Sequence, residues 1–273
     1  MAIITLSRQV AAHGDEIAQA LAKRLNYKFI RRTDIEERII ALGFPKDKMP
    51  KYDERKPGFF ASLAKDRDAY INLTQYALLE AASKKNVIVI GRSAFAVLKN
   101  APNEIAVRFI ADEKTRMQRL MKEFNWDEKQ AKQRITESDL NRDGFHKNFY
   151  NVEVSNPENY DMVLNTSIVD DELCAQIISD YVAAKVTPQI EEAGNLYISQ
   201  MLKAQEIVNK LIFEQKINIE FMHADIEDGT FVLYGVTDSA VTIEQALTTI
   251  KKEMPDLEVK SSVSVVHDFK AFQ

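Results

Sequence analysis

The sequence is poor in cysteine, in long apolar runs and in excess positive charge, and each shortage excludes a class of protein. Its single cysteine, Cys174, rules out an internal disulfide and a zinc cluster of thiolates, and predicts a reducing compartment such as the cytoplasm. No segment approaches the roughly eighteen apolar residues of a membrane span, and the few apolar residues before Arg8 are too short a run for a signal peptide. We therefore expect a cytoplasmic protein that is not integral to a membrane.

Positive charge is also in short supply. The 36 Lys and Arg residues face 41 Asp and Glu, which gives a formal net charge of −5. This balance argues against a protein that chiefly neutralises nucleic-acid phosphates, so a nucleic acid is not an expected partner. What the chain does have is an ordinary globular composition, with 45% hydrophobic and 28% charged residues. Its 273 residues correspond to about two domains.

Strand and helix patterns alternate over the first part of the chain. Apolar runs predict strands at residues 2–7, 27–31, 86–90, 105–111 and 162–165. Helical periodicity is present at residues 15–25, 34–42, 69–84, 113–123, 125–138 and 171–185. The run Val-Ile-Val-Ile before Gly91 is apolar on both faces, which is typical of a central parallel strand. This alternation predicts an α/β domain, a doubly wound parallel sheet flanked by helices, over residues 1–187.

Several local signals refine that prediction. Asp112 is placed to cap the helix that begins at Glu113, and Asn125 with Glu128 resembles a capping box for the next helix. The stretch from Phe44 to Gly58 is rich in Lys, Asp and Pro with little periodicity, which predicts an exposed excursion.

The pattern changes after residue 187. Thr187-Pro188 predicts a helix start, and helical periodicity resumes after Gly194 as far as Gln215. Alternating residues on both sides of Asp228-Gly229 predict a hairpin, followed by a helix at 241–253 and a strand at 257–265. The result is a small α+β module of order α-β-β-α-β over residues 188–273, with the boundary in the helix near 188–200.

The loop between the first strand and the first helix is the first candidate site, because free amides and the helix dipole favour an anion there. It reads Arg8-Gln9-Val10-Ala11-Ala12-His13-Gly14-Asp15-Glu16. This segment has one glycine, no lysine and no Ser or Thr for magnesium, so it departs from the P-loop pattern. The alternative is an ordinary connection capped by Asp15 and Glu16.

A set of ordered motifs adds to this weak signal. They are Ile-Thr-Leu-Ser-Arg-Gln at 4–9, Asp53-Glu54-Arg55, Val-Ile-Val-Ile-Gly-Arg at 87–92, Asp139-x-x-Arg142, and Asn156-Pro-Glu-Asn-Tyr-Asp with Leu164-Asn-Thr-Ser. As an ordered set over about residues 1–185, they resemble the cytidylate-kinase-like family of P-loop kinases. The resemblance implies transfer of a phosphoryl group from ATP, with Mg²⁺, to a pyrimidine nucleotide such as CMP or dCMP.

The resemblance also implies site residues. Gly91 and Arg92 would belong to the monophosphate site, with Arg92 a phosphate or base ligand. Asp139 would face the ribose and Arg142 the transferring phosphates, and Arg92 and Arg142 would be catalytic. Residues of the 8–16 loop would bind the donor, namely Arg8, Ala11, Ala12, His13, Gly14, Asp15 and Glu16. A planar guanidinium suits phosphate oxygens, and phosphoryl transfer needs mainly positioning and positive charge. No metal ligand is assigned to the protein itself.

Each arginine also has a structural alternative. Arg92 could pair with a core carboxylate. Asp139 and Arg142 have the spacing of an ion pair on a helix surface. Arg116 and Arg119, one helical turn apart, could form the solvated face of their helix.

The departures from the family weaken the donor site. Where family members carry Gly-Ser-Gly-Gly, this chain has Ala11-Ala12-His13-Gly14. A left-handed backbone at either alanine would cost about 1–2 kcal/mol. Asp15 and Glu16 suit the helix dipole but repel phosphates, and Arg8 compensates only if its side chain folds over the loop. A second hypothesis is therefore a catalytically silent nucleotide sensor that signals through the C-terminal module, and a third is a purely structural interaction protein.

The C-terminal module has a resemblance of its own. Gly229-Thr-Phe-Val-Leu-Tyr-Gly235, followed by a helix and an alternating strand, is similar to the small BON domain. The resemblance implies a dimerisation or regulatory role, so a homodimer through this module is an expected assembly.

Overall fold

The first part of the chain is an α/β domain in the computed structural model, which describes residues 2–53 and 66–266. Its strands are β1 (Ile3–Arg8), β2 (Lys28–Ile30), β3 (Val87–Ile90), β4 (Glu104–Ile110) and β5 (Met162–Asn165). They form a five-stranded sheet of order β2-β3-β1-β4-β5, and every neighbouring pair is parallel. The predicted doubly wound parallel sheet is confirmed.

Helices cover both faces of this sheet. They are α1 (Gly14–Leu25), α2 (Arg32–Ala41), α3 (Arg67–Ser83), α4 (Ala94–Val97), α5 (Glu113–Phe124), α6 (Glu128–Tyr150) and α7 (Asp171–Lys185). In β3, Val87 and Val89 join the core beneath α3, whereas Ile88 and Ile90 join the core beneath α1 and α7. This two-sided burial explains why β3 is apolar at every position.

The parallel register brings two loops together at one edge of the sheet. Leu6 of β1 lies opposite Ile90 of β3, and the Gly91 amide donates to the Leu6 carbonyl at 3.1 Å. The carboxyl ends of β1 and β3 therefore meet, and the loop that follows β1 lies beside Gly91. In open parallel sheets this edge is where ligands bind.

The caps of α5 and α6 confirm one prediction and correct another. Asp112 caps α5, since its carboxylate accepts from the Thr115 amide at 2.8 Å. Asn125 does not cap α6. It ends α5 with a left-handed backbone at φ 54°, and Asp127 forms the reciprocal capping box with Gln130.

Helix α6 also continues to Tyr150 rather than ending near Ser138. Its buried face includes Ser138, Arg142 and His146, so the apolar periodicity fades although the helix does not end.

The excursion predicted from Phe44 is wrong where the structure describes it, up to Asp53. Lys46–Tyr52 forms a 3₁₀ helix, and Phe44, Met49 and Tyr52 are buried. Their apolar side chains are too widely spaced to give a pattern, yet the Tyr52 ring stacks on Tyr70 of α3 with centroids 4.2 Å apart. Glu54, Arg55 and the rest of the predicted excursion lie outside the described residues.

The remaining elements form a small module with a mixed sheet. They are α8 (Pro188–Asn209), a π-helical turn (Lys210–Glu214), β6 (Glu220–Glu227), β7 (Thr230–Thr237), α9 (Ala240–Glu253) and β8 (Glu258–Val265). β6 pairs antiparallel with β7, and β7 pairs parallel with β8. The predicted order α-β-β-α-β is confirmed. None of the helices in the two described ranges is sufficiently long and apolar to cross a bilayer.

Helix α8 joins this module to the first part of the chain. It is capped by the Thr187 hydroxyl and runs without interruption past Gly194, where the sequence suggests a pause. A Cβ at Gly194 would lie 2.0 Å from the Asn103 side-chain oxygen, so glycine permits a close approach there. Ile198 and Met201 of α8 share one buried cluster with Leu73 and Ala77 of α3.

Candidate functional site

The loop between β1 and α1 keeps a left-handed backbone at two residues that are not glycine. Ala11 has φ 59° and His13 has φ 54°. Both occupy positions where the family resemblance gives glycine, which adopts this conformation freely. For other residues it costs about 1–2 kcal/mol each. Such strain persists only where the surroundings fix the backbone.

Two arginines of α5 fix this backbone from outside. The Arg116 Nε donates to the Val10 carbonyl at 2.9 Å, and the Arg119 Nη1 donates to the Ala11 carbonyl at 2.9 Å. A carbonyl held in one direction fixes its planar peptide unit, including the next amide. Arg116 and Arg119 are therefore braces of the loop rather than a solvated helix face, which corrects the sequence interpretation.

Each brace is itself anchored. Asp139 of α6 accepts from both terminal nitrogens of Arg116, at 2.8 and 2.9 Å, and Arg116 is buried. Arg119 also donates to the Thr166 carbonyl after β5 at 2.7 Å. Asp139 therefore pairs with Arg116 and not with Arg142, and its contact with a ribose stays a prediction.

His13 ties the loop to the start of α7. Its Nδ1 lies 3.0 and 3.1 Å from the two carboxylate oxygens of Asp171. His13 precedes α1 at the N-cap position, and its side chain does not cap the helix. The first amides of α1 therefore have no side-chain cap from His13, and such amides have no acceptor within a helix.

Arg8 folds over the N-terminus of α1, which is the placement that lets it offset the nearby acids. A Cβ at Gly14 would lie 2.8 Å from the Arg8 Cγ, so the stem of Arg8 lies directly on Gly14. The Arg8 Nε is 3.9 Å from the Asp15 carboxylate. Ala12 is buried beneath the loop, whereas Asp15 and Glu16 are exposed at its mouth. One cation therefore partly offsets the two acids.

A polar cluster closes the carboxyl edge of the sheet beside this loop. Arg108 donates to the Ser7 hydroxyl at 3.0 Å, and Arg142 donates to the Ser138 hydroxyl at 2.9 Å. His146 contacts the Arg142 carbonyl through Nδ1 at 2.7 Å. The cavity enclosed here measures about 10 Å³ and is lined by Leu6, Ser7, Arg8, Gly91, Ser93, Phe95, Arg142 and His146. That volume is the minimum for one water molecule.

Arg92 lies on the other side of this edge, with its side chain in the core. It has φ 53° and is 1% exposed. It donates to the Tyr70 hydroxyl at 2.8 Å, to the Tyr52 carbonyl, and to the Glu36 carboxylate of α2. In the conformation described, Arg92 is a partner of a core carboxylate and does not line the edge cavity. This differs from the predicted role as a phosphate or base ligand.

An open cavity of about 520 Å³ lies on the far side of the loop, beside His13. Arg119 forms one wall, and the loop from Thr166 to Glu172 forms the other. Ile168 in that loop is 82% exposed, so an apolar side chain faces this space without a cover. A cavity of this size suits a small organic ligand.

The structure thus brings Arg8, Gly91 and Arg142 together at one edge, with Ala11, His13 and Gly14 in the adjoining loop. It separates Arg92 and Asp139 from that edge. Sequence reasoning missed Arg108, Glu36 and the bracing role of Arg116 and Arg119. Arg108 is a charged residue in β4, and its position three residues from the end of a predicted strand is the one signal that could have found it.

The first part of the chain is similar to known proteins. Residues 3–168 match the model of the cytidylate kinase-like family. Cytidylate kinase of Archaeoglobus fulgidus is 28% identical over 187 residues, which are 67% of this chain and 95% of that protein. Cytidylate kinase of Methanocaldococcus jannaschii is 27% identical over 180 residues, 65% of this chain and 95% of that protein.

A solved structure shares the fold. The crystal structure of an uncharacterized protein from Eubacterium ventriosum is 20% identical, with a TM-score of 0.55. It covers 67% of this chain and 98% of its own.

Proposed function

Because the family model matches more than half of its residues, this chain belongs to the cytidylate kinase-like family, and we propose that it transfers a phosphoryl group from ATP to CMP or dCMP. The observation that carries the proposal is the strained loop at the N-terminus of α1. Ala11 and His13 hold a left-handed backbone there, and two arginines brace it. Backbone strain of this kind clusters at ligand-binding sites, which supports a donor site at this loop.

We place the donor nucleotide across the loop and the open cavity beside His13. The uncapped amides of α1 and the Arg8 guanidinium suit phosphate oxygens. Arg119 presents a planar cation on which a base can stack, and Ile168 adds an apolar surface. The cavity of about 520 Å³ accommodates the base and ribose.

Magnesium is the cofactor implied by this donor, and the residues at the loop mouth fit it. No group of three or more His, Cys, Asp or Glu in the described ranges could hold a metal ion alone. Mg²⁺ usually keeps several waters and binds one or two carboxylates together with substrate phosphates. Asp15 and Glu16 supply such carboxylates, and a bound Mg²⁺ would neutralise the charge that otherwise repels ATP.

We place the acceptor phosphate at the strand edge, between Arg8 and Arg142. Both guanidiniums line the edge cavity, where positive charge stabilises the moving phosphoryl group. The edge cavity measures only about 10 Å³, so we propose that α6 moves outward to admit the acceptor. Arg92 would join the acceptor only by leaving Glu36.

An assay of ADP release tests this function directly. The purified chain is given ATP, Mg²⁺ and each of the common nucleoside monophosphates at millimolar concentration. We expect turnover with CMP or dCMP, and a loss of at least a hundredfold in Arg142→Ala, with Lys129→Ala, an exposed residue of the same helix, as the control. Absence of turnover above background with every acceptor would remove the enzymatic function.

A second function, a nucleotide sensor without turnover, is favoured by one observation. Arg92 donates hydrogen bonds to the core groups Glu36, Tyr52 and Tyr70. The Gly91-Arg92 motif, which resembles that of the family, is therefore engaged inside the protein. Calorimetry separates the two functions. Binding of CMP without ATP supports the sensor, whereas binding of both with ADP release supports the kinase.

A further inference from the structure

A wide cleft separates the C-terminal sheet from α3 and the end of α6. It measures about 1010 Å³, and its lining includes Arg67 and Lys147 on one wall and Tyr197, His223 and Tyr234 on the other. None of its lining residues lines the edge cavity or the cavity beside His13. Small-molecule sites are often found between domains and have volumes up to about this size.

Flat aromatic surfaces form one wall of the cleft. His223 of β6 and Tyr234 of β7 lie directly opposite each other, and their rings stack with centroids 4.9 Å apart and planes 10° apart. Phe221 on the same strand is 56% exposed. The stacked rings of His223 and Tyr234, with the exposed Phe221 ring nearby, suit a ligand with a planar ring system.

The backbone holds Phe221 in this position at a cost. Its φ is 53°, and the pairing of β6 with β7 shifts register between Glu220 and His223. A bulky residue with a positive φ is strained by about 1–3 kcal/mol, and bulges often redirect a side chain beside a functional site. Here the strain brings the Phe221 ring to 5.9 Å from the Arg67 guanidinium, which also lies 5.8 Å from Phe149.

Three cationic and three acidic side chains line the cleft, and among the described residues only one cation and one acid of this set form an ion pair. Asp68 pairs with Arg67 at 2.8 Å, and Asp225 accepts from the Tyr197 hydroxyl at 3.2 Å. Glu227 accepts from the Tyr234 hydroxyl. Lys99 and Lys147 are exposed, and within residues 2–53 and 66–266 neither has an ion-pair partner. An anionic group on the ligand would meet these two lysines.

We propose that this cleft binds a nucleoside phosphate as a regulatory ligand, with its base against the His223–Tyr234 stack and its phosphate at Lys99 and Lys147. The proposal rests on the proposed function only for the effect on activity, because the binding itself needs nothing from the strand edge.

The two helices that line the cleft also hold the candidate site. Arg67 lies one helical turn before Tyr70 on α3, and Tyr70 accepts a hydrogen bond from Arg92. Lys147 directly follows His146 on α6, which also carries Arg142. A ligand phosphate that draws Lys147 toward the sheet would therefore shift α6 and, with it, Arg142. By linkage, a substrate at the strand edge changes the affinity of the cleft for its ligand by the same factor.

Hydrogen exchange of the full chain tests the binding. The probes are AMP, GMP, CMP and ATP, each at millimolar concentration. We expect at least one of them to slow exchange of the β6 amides at 220–227, also in Arg8→Ala, which weakens the donor site. Failure of all four nucleotides to protect 220–227 would overturn the proposal, whatever protection the 8–16 loop shows.

Charge reversal identifies the phosphate ligands. The double variant Lys99→Glu/Lys147→Glu should weaken binding of the protecting nucleotide at least tenfold, measured by calorimetry. The control Lys251→Glu/Lys252→Glu changes the net charge equally on the exposed end of α9 and should leave that affinity unchanged. Equal effects of the two double variants would show a general electrostatic effect and reject the site. If the wild-type protein shows no kinase activity but a nucleotide still protects β6, the proposed function is rejected and the nucleotide site in the cleft is retained.

Discussion

The two sides of the sheet edge differ in a way that the motifs do not suggest. The loop of residues 8–16 has lost most of the family's letters, yet its left-handed backbone is held open by Arg116 and Arg119. Gly91-Arg92 keeps the family's letters, yet its arginine is engaged in the core with Glu36. Backbone geometry can therefore survive the loss of its glycines when side chains elsewhere brace it, whereas an unchanged side chain can take a different partner.

Replacing Arg92 should have the largest effect on stability. A small effect would contradict the comparison above, in which Arg92 is engaged in the core. Arg92→Met removes the hydrogen bonds from the buried guanidinium to Glu36, Tyr52 and Tyr70, although Arg32 still pairs with Glu36 at 2.6 Å, so we expect the free energy of unfolding to fall by about 3 kcal/mol. Urea denaturation measures it. Arg31→Met, next to α2 and exposed, is the control. A change below about 0.5 kcal/mol in Arg92→Met would show that the core contacts are weak.

The buried carboxyl of Glu104 should make stability fall as pH rises. Its pKa is raised to about 8, chiefly by burial and also by nearby Asp161, while the Thr5 hydroxyl and Lys185 oppose the shift. The folded state therefore holds a proton that the unfolded state releases near pH 4.5. The contribution is complete below that pH and is lost between it and about pH 8, at up to about 1.4 kcal/mol per pH unit.

Glu104→Gln should remove this slope in urea titrations from pH 5 to pH 8. A slope that persisted in the variant would assign the proton to another group.

The brace of the loop predicts a smaller effect on binding. Arg116→Met frees the Val10 carbonyl and leaves Asp139 without this partner, so we expect ATP with Mg²⁺ to bind at least tenfold more weakly, about 1.4 kcal/mol. Calorimetry measures the affinity. Lys122→Met on the same helix removes an exposed cation and should change nothing. Equal affinity in Arg116→Met and wild type would show that the loop needs no brace.

Relief of the strain in the loop should have the smallest effect on the free energy of unfolding. The neighbouring residue provides a matched control. Ala11→Gly should raise the free energy of unfolding by about 1 kcal/mol, because glycine adopts the left-handed backbone without strain. Ala12→Gly should lower it by about 0.5–1 kcal/mol, since buried Ala12 has no positive φ and glycine only adds freedom to the unfolded chain. Thermal or urea unfolding of the two variants measures both changes in the free energy of unfolding, which should have opposite signs. Destabilisation by both would remove the strain argument.

The sequence predicts the fold well where side-chain patterns follow the local backbone. The two-sided apolar run of β3, the cap at Asp112 and the turn at Asp228-Gly229 each depend on neighbours in the chain, and each is confirmed. Helix α6 was predicted too short because Ser138, Arg142 and His146 are buried by polar contacts that periodicity does not detect.

The candidate site was harder to predict because its contacts are distant in sequence. Arg116 reaches a carbonyl 106 residues away, and Arg92 reaches a carboxylate 56 residues away. The three-residue spacing of Arg116 and Arg119 is the same for a solvated face and for a brace. The BON-like resemblance, a homodimer and the boundary near 188–200 stay predictions.

The packing of α8 at Gly194 determines where the C-terminal sheet stands. The helix touches Asn103 there with no space for a methyl group, and about 22 Å of helix separates this point from its end at Asn209. A tilt of only about 5° at Gly194 would move that end by about 2 Å, by the same rise per residue. Glycine at residue 194 thus lets α8 lie against Asn103, and a larger residue that tilted the helix there would displace its far end.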